Sequence, residues 1–197
     1  MAGPTRLHHV AFACRDVEAT YDFYARRLGM RLLHTENHLT DKGWFRHFFF
    51  DMGGGEALGF FAFDNVGEKE GWRSDISTGV GLPVWVNHVA FNVDGMDAID
   101  AMRQRCIDND VEMLMETDHG WCYSIYMVDP NGIMVEFTTT TKPNDFHQSE
   151  EEALRLLRQP PGEFREDKRK DTSTTVRMNR EAMRKIEIGE PARNRAR

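Results

Sequence analysis

Leu7-His8-His9-Val10-Ala11-Phe12 stands near the start of the chain, and Val86-Asn87-His88-Val89-Ala90-Phe91 repeats its pattern near the middle. Each copy is a short apolar run interrupted by a histidine, as expected of a mostly buried strand. Each leads through an aspartate, Asp16 or Asp94, into apolar residues at helical spacing. These are Val17, Tyr21, Tyr24 and Leu28 in the first half, and Met96, Ile99, Met102, Cys106 and Ile107 in the second. Gly29 is a natural terminator for the first helix. Three strand-like runs follow in each half, at 30–36, 44–51 and 58–63 and again at 111–116, 122–128 and 133–139. The closing hairpins carry turn residues, Gly53-Gly54-Gly55 and Asp129-Pro130-Asn131-Gly132. Histidine, helix, strand count and closing turn all agree. They predict an α+β fold of two βαβββ modules, at about 5–64 and 84–140, in one domain over residues 1–141.

The stretch 64–83 is polar and punctuated by glycine, and reads as the linker between the halves. A C-terminal extension covers 142–197. It begins with a short helix at 149–158, spaced through Ala153, Leu154 and Leu157 and stopped by Pro160-Pro161. From Pro161 onward there are eleven Lys and Arg against seven Asp and Glu, with few large apolar residues. That tail is expected to be extended or disordered, or to wrap a partner subunit.

Composition narrows the function. A length of 197 residues with 40% apolar content suits one well-packed domain. The net charge of −7 argues against nucleic acid, which is held by surplus Lys and Arg. No apolar run approaches the ~20 residues that span a bilayer, and residues 1–6 lack the apolar stretch of a secretion signal. Cys14, Cys106 and Cys122 are widely spaced and odd in number, as in a cytoplasmic protein with reduced thiols.

The repeat also places chemistry. His9 and His88 hold equivalent positions on the first strand of each half, so pseudo-twofold packing would set them face to face. Glu136 sits inside the apolar run Ile133-Met134-Val135-Glu136-Phe137, where an unpartnered carboxylate costs several kcal/mol even after relaxation. A divalent cation removes that cost. Taken singly, each residue reads equally as a satisfied core histidine or a salt-bridged glutamate. Taken together, at repeat-related positions, His9, His88 and Glu136 are candidate metal ligands. Two imidazoles and one carboxylate leave open positions and suit non-haem Fe(II), with Mn, Zn, Ni or Co as alternatives.

Over roughly residues 5–140 the chain resembles the vicinal oxygen chelate superfamily, which includes glyoxalase I, extradiol ring-cleaving dioxygenases, epimerases and antibiotic-resistance proteins. That resemblance implies a metal cup built from the paired modules, with His9, His88 and Glu136 as its ligands. Glyoxalase-like members place a second carboxylate in the first module where this chain has Gly59, which cannot coordinate. Thr117-Asp118-His119, Ile125-Tyr126, Asp129-Pro130, Gly132 and Glu136 are similar to the extradiol dioxygenase signature. By that likeness His119 and Tyr126 are catalytic residues that contact an aromatic diol near the metal. The further acid–base histidine usual in such enzymes is missing between Gly59 and His88, and His47 is the candidate stand-in. Phe61, Phe63 and Trp121 are candidates to line the cup.

The resemblance therefore implies a cytoplasmic, homodimeric Fe(II)-dependent dioxygenase acting on a catechol or related diol with O2. A glyoxalase- or epimerase-like lyase or isomerase is the first alternative, and an aromatic drug or metabolite binding protein the second.

Overall fold

A computed structural model describes residue 4, residues 6–161 and residues 174–187 of the chain. The first module runs β1 (His9–Ala13), α1 (Val17–Tyr21), β2 (Leu32–Leu39), β3 (Trp44–Gly53) and β4 (Glu56–Asp64). The second runs β5 (His88–Asn92), α2 (Met96–Asp108), β6 (Met113–Asp118), β7 (Cys122–Val128) and β8 (Met134–Thr140). Each module forms its own sheet, in the orders β1-β4-β3-β2 and β5-β8-β7-β6, the latter extended by a fifth strand described below. The first strand lies parallel to the last in both, and the remaining pairs of each module are antiparallel.

The repeat extends to register. Ala11 pairs with Gly59 as Ala90 pairs with Glu136. Phe49 pairs with Gly59 as Tyr126 pairs with Glu136, and His47 pairs with Phe61 as Ser124 pairs with Thr138. Helix starts differ between the halves. The Asp16 carboxylate accepts from Ala19 N at 2.9 Å, so Asp16 caps α1 as its sequence suggests. The cap of α2 is Gly95 rather than Asp94, with a backbone conformation (φ +84°) open to glycine, and Gly95 N donates to Thr139 Oγ1 at 3.0 Å. Beyond Tyr21, α1 widens into a π-helical segment, Asp22–Arg27, ending with Leu28 N bonded to Phe23 O at 3.0 Å.

One face of each sheet feeds a single shared core. Phe48, Phe50, Leu58 and Phe60 of the first sheet join Phe23, Tyr24 and Leu28 of the first helical segment. Val89, Phe91, Ile125, Met127, Val135 and Phe137 join Ile99 and Cys106 of α2 in the same cluster. Full burial of each large apolar side chain contributes about 1.5–3 kcal/mol, so this cluster holds the modules together.

A polar hub at the turn before β8 sharpens the junction. Asp129 is fully buried and accepts from Tyr24 OH, Asn131 N, Asn131 Nδ2 and Ile133 N at 2.8–3.0 Å. Asn131 in turn donates to Thr20 Oγ1, and its Oδ1 accepts from Arg15 N. Ser74 of the linker donates to Asn131 O. Gly132 has φ +80°, and a Cβ there would stand 2.5 Å from the Asp75 side chain. These signature residues therefore lock one module to the other. The three cysteines are unpaired and buried, and burial pushes the Cys14 and Cys106 thiols up to about 11.

Beyond β8 lie α3 (Pro143–Phe146) and α4 (Glu150–Leu157), the latter capped by Ser149, whose Oγ accepts from Glu152 N. Further on, β9 (Thr174–Met178) joins the outer edge of the second sheet beside β6, and α5 (Arg180–Glu187) folds back from it. Sequence reading expects α4, at 149–158, but neither α3 nor a paired strand in a tail read as extended, disordered or wrapped on a partner. The polar segment Thr174-Thr175-Val176-Arg177-Met178 pairs through its backbone, which composition does not report. The remainder of that tail, 162–173 and 188–197, lies outside the described residues. Among the described residues no helix is long and apolar enough to cross a membrane.

Candidate metal centre

Strand alternation decides which side chains meet. With Val89, Phe91, Val135 and Phe137 turned into the core, His88 on β5 and Glu136 on β8 share the opposite face of the second sheet. His88 Nε2 lies 3.2 Å from Glu136 Oε2. His88 Nδ1 lies 3.0 Å from Trp85 O, and since a carbonyl only accepts, Nδ1 carries the hydrogen. With Nδ1 so engaged, Nε2 is the nitrogen that faces the carboxylate oxygen. At that distance a shared proton or a shared cation joins the two. Donors bound to one ion at ~2.1 Å stand ~3.0–3.4 Å apart, so the pair fits a shared divalent ion. A carbonyl fixing the outer imidazole nitrogen is also how ligating histidines are commonly held.

The second sheet supports this pair. Ser124 Oγ donates to Glu136 Oε1 at 2.6 Å and lies 2.9 Å from Thr138 Oγ1, so the carboxylate is aimed. Tyr126, directly opposite Glu136 in register, has its OH 2.7 Å from His119 Nε2. Burial, and the adjacent Glu136 carboxylate, raise the Tyr126 hydroxyl well above the usual phenol range against a hydrogen bond with Ser124, so the phenol keeps its proton. Met183 and Ile186 of α5 pack on Tyr126, Met134 and Val84, roofing one side of this face.

The first sheet carries His9 on the corresponding face, opposite its own core side. Gly59 occupies the register position of Glu136, Phe49 that of Tyr126 and His47 that of Ser124. His47 stacks on Phe61, with ring centroids 3.7 Å apart, and its Nδ1 is 3.5 Å from Glu36 Oε1. Burial pushes the His47 imidazole below its usual pKa against the pull of Glu36, so the ring is neutral at pH 7. His9 lies 2.8 Å from His8 through their Nδ1 atoms, and its ring centroid is 6.3 Å from that of His47.

The structure thus brings together two of the three expected ligands, His88 and Glu136, and both substrate-contact candidates, His119 and Tyr126. His9 is on the other sheet, and both site faces turn away from the core the sheets share. Among the described residues, no group of three or more His, Cys, Asp or Glu is placed to hold an ion. The supposed cup aromatics divide: Phe61 lies under His47, Phe63 packs on Trp72, and Trp121 stacks on Phe146 with His119 6.2 Å away.

Among the described residues, two buried side-chain polar atoms have no partner, His47 Nε2 and Thr117 Oγ1. Both lie on these site faces, since Thr117 pairs with Ser124. Leaving such an atom unpaired costs about 1–3 kcal/mol, which is tolerated most readily where a ligand binds. Sequence reading missed Ser124 and the α5 roof, and quoted Thr117 only as part of the signature stretch. Alternation from Glu136 through β7 was the available signal for Ser124.

The glyoxalase/bleomycin resistance protein/dioxygenase superfamily model matches residues 6–137. Among solved structures, a glyoxalase/dioxygenase from Nostoc punctiforme is 20% identical, with a TM-score of 0.51, over 72% of this chain and 97% of that one. A glyoxylase/bleomycin resistance protein/dioxygenase domain from Frankia sp. EAN1pec is 19% identical, with a TM-score of 0.51, over 75% of this chain and 99% of that one. At such identities these likenesses concern the fold alone.

Proposed function

Because this chain belongs to the glyoxalase/bleomycin resistance protein/dioxygenase superfamily, a family typically served by a divalent metal, we propose that it is a metal-dependent enzyme completed by a second copy of itself. His88 and Glu136 of one copy, with His9 of the other, form the ion site. The observation that carries this reading is His88 Nε2 facing Glu136 Oε2 at 3.2 Å while the Trp85 carbonyl holds the other ring nitrogen. Exposure supports the second copy. His9, Ala11, Ala90 and Asn92 are exposed on the edge strands β1 and β5, and Trp85 beside His88 is 55% exposed. Laying the first sheet of one copy on the second sheet of another would cover these surfaces twice over, as twofold symmetry requires.

The reaction class favoured by the site is extradiol-type cleavage of a catechol or related diol by O2, with Fe(II) as the ion. The His119–Tyr126 pair is its specific support. A divalent ion bound here would anchor substrate oxygens and stabilise charge developing on them. The chain's own groups do the rest. Ser124 holds the carboxylate at one angle. Tyr126, protonated at neutral pH, donates a hydrogen bond, and His119 at 2.7 Å holds or receives a proton beside it. Met183 and Ile186 pack against the cluster that holds Tyr126.

Protein loaded anaerobically with Fe(II) should turn catechols yellow on admission of air. Catechols left uncleaved by iron-loaded protein, together with oxygen-indifferent turnover of carbonyl substrates with Zn or Ni, would instead select a lyase or isomerase.

A further inference from the structure

We propose that His47 is a further ligand of this centre, reaching from β3 across the space that Gly59 leaves open on β4. The inference rests on the reading that His9 ligates a divalent ion. It starts from an oddity of the first sheet. His47 is 9% exposed, yet its Nε2 has no hydrogen-bond partner. Phenylalanine would fill the same place between Phe49 and Phe61 without an unpaired nitrogen.

The direction of that nitrogen is informative. A Cβ built on Gly59 would stand 3.1 Å from His47 Nε2 and 3.1 Å from the Phe49 ring. Nε2 therefore points into the volume where the second sheet keeps the Glu136 side chain. Strand β4 separates β3 from β1, and only a residue without a side chain at 59 lets the His47 ring lean across it toward His9. The two ring centroids are 6.3 Å apart. Imidazoles sharing an ion at ~2.1 Å have centroids ~4.6 Å apart when adjacent and ~6.5 Å apart when opposite, so this spacing fits joint ligation from nearly opposite sides of the ion.

The other ring nitrogen is also prepared. Nδ1 faces Glu36 Oε1 at 3.5 Å, which favours hydrogen on Nδ1 and a lone pair on Nε2. A carboxylate behind an imidazole is the usual outer partner of a histidine ligand. His88 shows the matching arrangement on the second sheet, with the Trp85 carbonyl in the role of Glu36.

The donor lost at Gly59 is thereby returned from the neighbouring strand as nitrogen. The centre has three imidazoles and one carboxylate. Two of six positions would stay open, so cleavage of a diol by O2 at this centre would proceed with one substrate oxygen bound beside O2, whereas a diol held through both oxygens would fill it.

The test uses the full chain loaded with Co(II). Exchangeable imidazole N–H protons of ligating histidines move far outside the normal proton NMR range and can be counted. Three such signals are expected in the wild type. In His47→Phe one should disappear, and Co(II) affinity by titration calorimetry should fall at least about tenfold, as removal of even an outer partner does. The metal-free variant should melt no lower than wild type, because an unpaired nitrogen has gone. The double variant His47→Ser/Gly59→Glu copies the Ser124–Glu136 arrangement and should regain affinity with two signals. Two signals in the wild type, with unchanged Co(II) affinity in His47→Phe, overturn the role of His47 and leave the three-ligand reading standing. No Co(II) binding by the wild type overturns both. Should His47→Phe fail to fold, the wild-type count alone decides.

Discussion

The two modules have one backbone and two chemistries. Strand order and cross-strand register match pair for pair, so the site positions of one half can be overlaid on those of the other. What occupies them differs. The second sheet offers a linked polar set in Glu136, Ser124, Thr138 and Tyr126. At the same places the first has Gly59, His47, Phe61 and Phe49, an aromatic wall with one buried nitrogen. Duplication therefore preserves what the core requires and frees what the core does not touch. Each half supplies what the other lacks: the second a carboxylate with its supports, the first nitrogen donors.

The strongest way to break that comparison is to part the halves. Asp129→Ala removes the acceptor of four buried donors, of which Tyr24 OH crosses from the first module and the other three shape the turn that carries Asn131. Stranded buried donors cost about 1–3 kcal/mol each, with partial relaxation, so a loss of about 3–5 kcal/mol is expected in urea unfolding. A loss under about 1 kcal/mol would mean that the apolar core alone joins the modules. Glu136→Ala tests the carboxylate of the second half. Metal affinity should fall more than ~100-fold, beyond the usual cost of outer partners. The metal-free variant should still fold, because the core lies on the other face of β8 and Ser124 keeps Thr138 as a partner. Ser124→Ala keeps the ligand and removes its aim. Affinity should weaken by about 10–100-fold, and an unchanged value would deprive Ser124 of its positioning role.

The smallest effect belongs to the hairpin of the first half. Asp51 accepts from Gly53 N and pairs with Arg31, and these hold its carboxyl below the ordinary 3.8. A lowered folded value means that stability is gained above 3.8 and lost as pH falls through the folded value. Asp51→Ala should therefore melt slightly below wild type at pH 7 and level with it in strong acid. A gap that persists there would point to packing rather than charge.

Much of this was legible in the residues. His9 and His88 inside matched apolar runs, each followed by a helix and three strands, lead directly to paired modules, because period-two and helical spacings leave few alternatives. Glu136 is conspicuous for the same reason: a carboxylate flanked by Val135 and Phe137 needs a partner. The placement of His9 is less accessible. Pseudo-twofold symmetry suggested that His9 and His88 would meet within one chain, but a repeat does not say which faces pack together. Tyr24 reaching Asp129 decides that the helix-bearing faces do, and neither residue advertises the other. Strand β9 was hidden by its polar composition, since an edge strand is held by backbone atoms common to every sequence.

Mixing two disabled variants tests the shared centre most directly. His9→Ala and Glu136→Ala, each unable to hold the ion, are refolded together in equal amounts and titrated with Co(II). If one copy completes the site of the other, half the dimers are mixed and each has one intact site, restoring about a quarter of wild-type capacity. Should the mixture bind no more than either variant alone, the two faces do not meet across copies, and the account of a shared centre is contradicted.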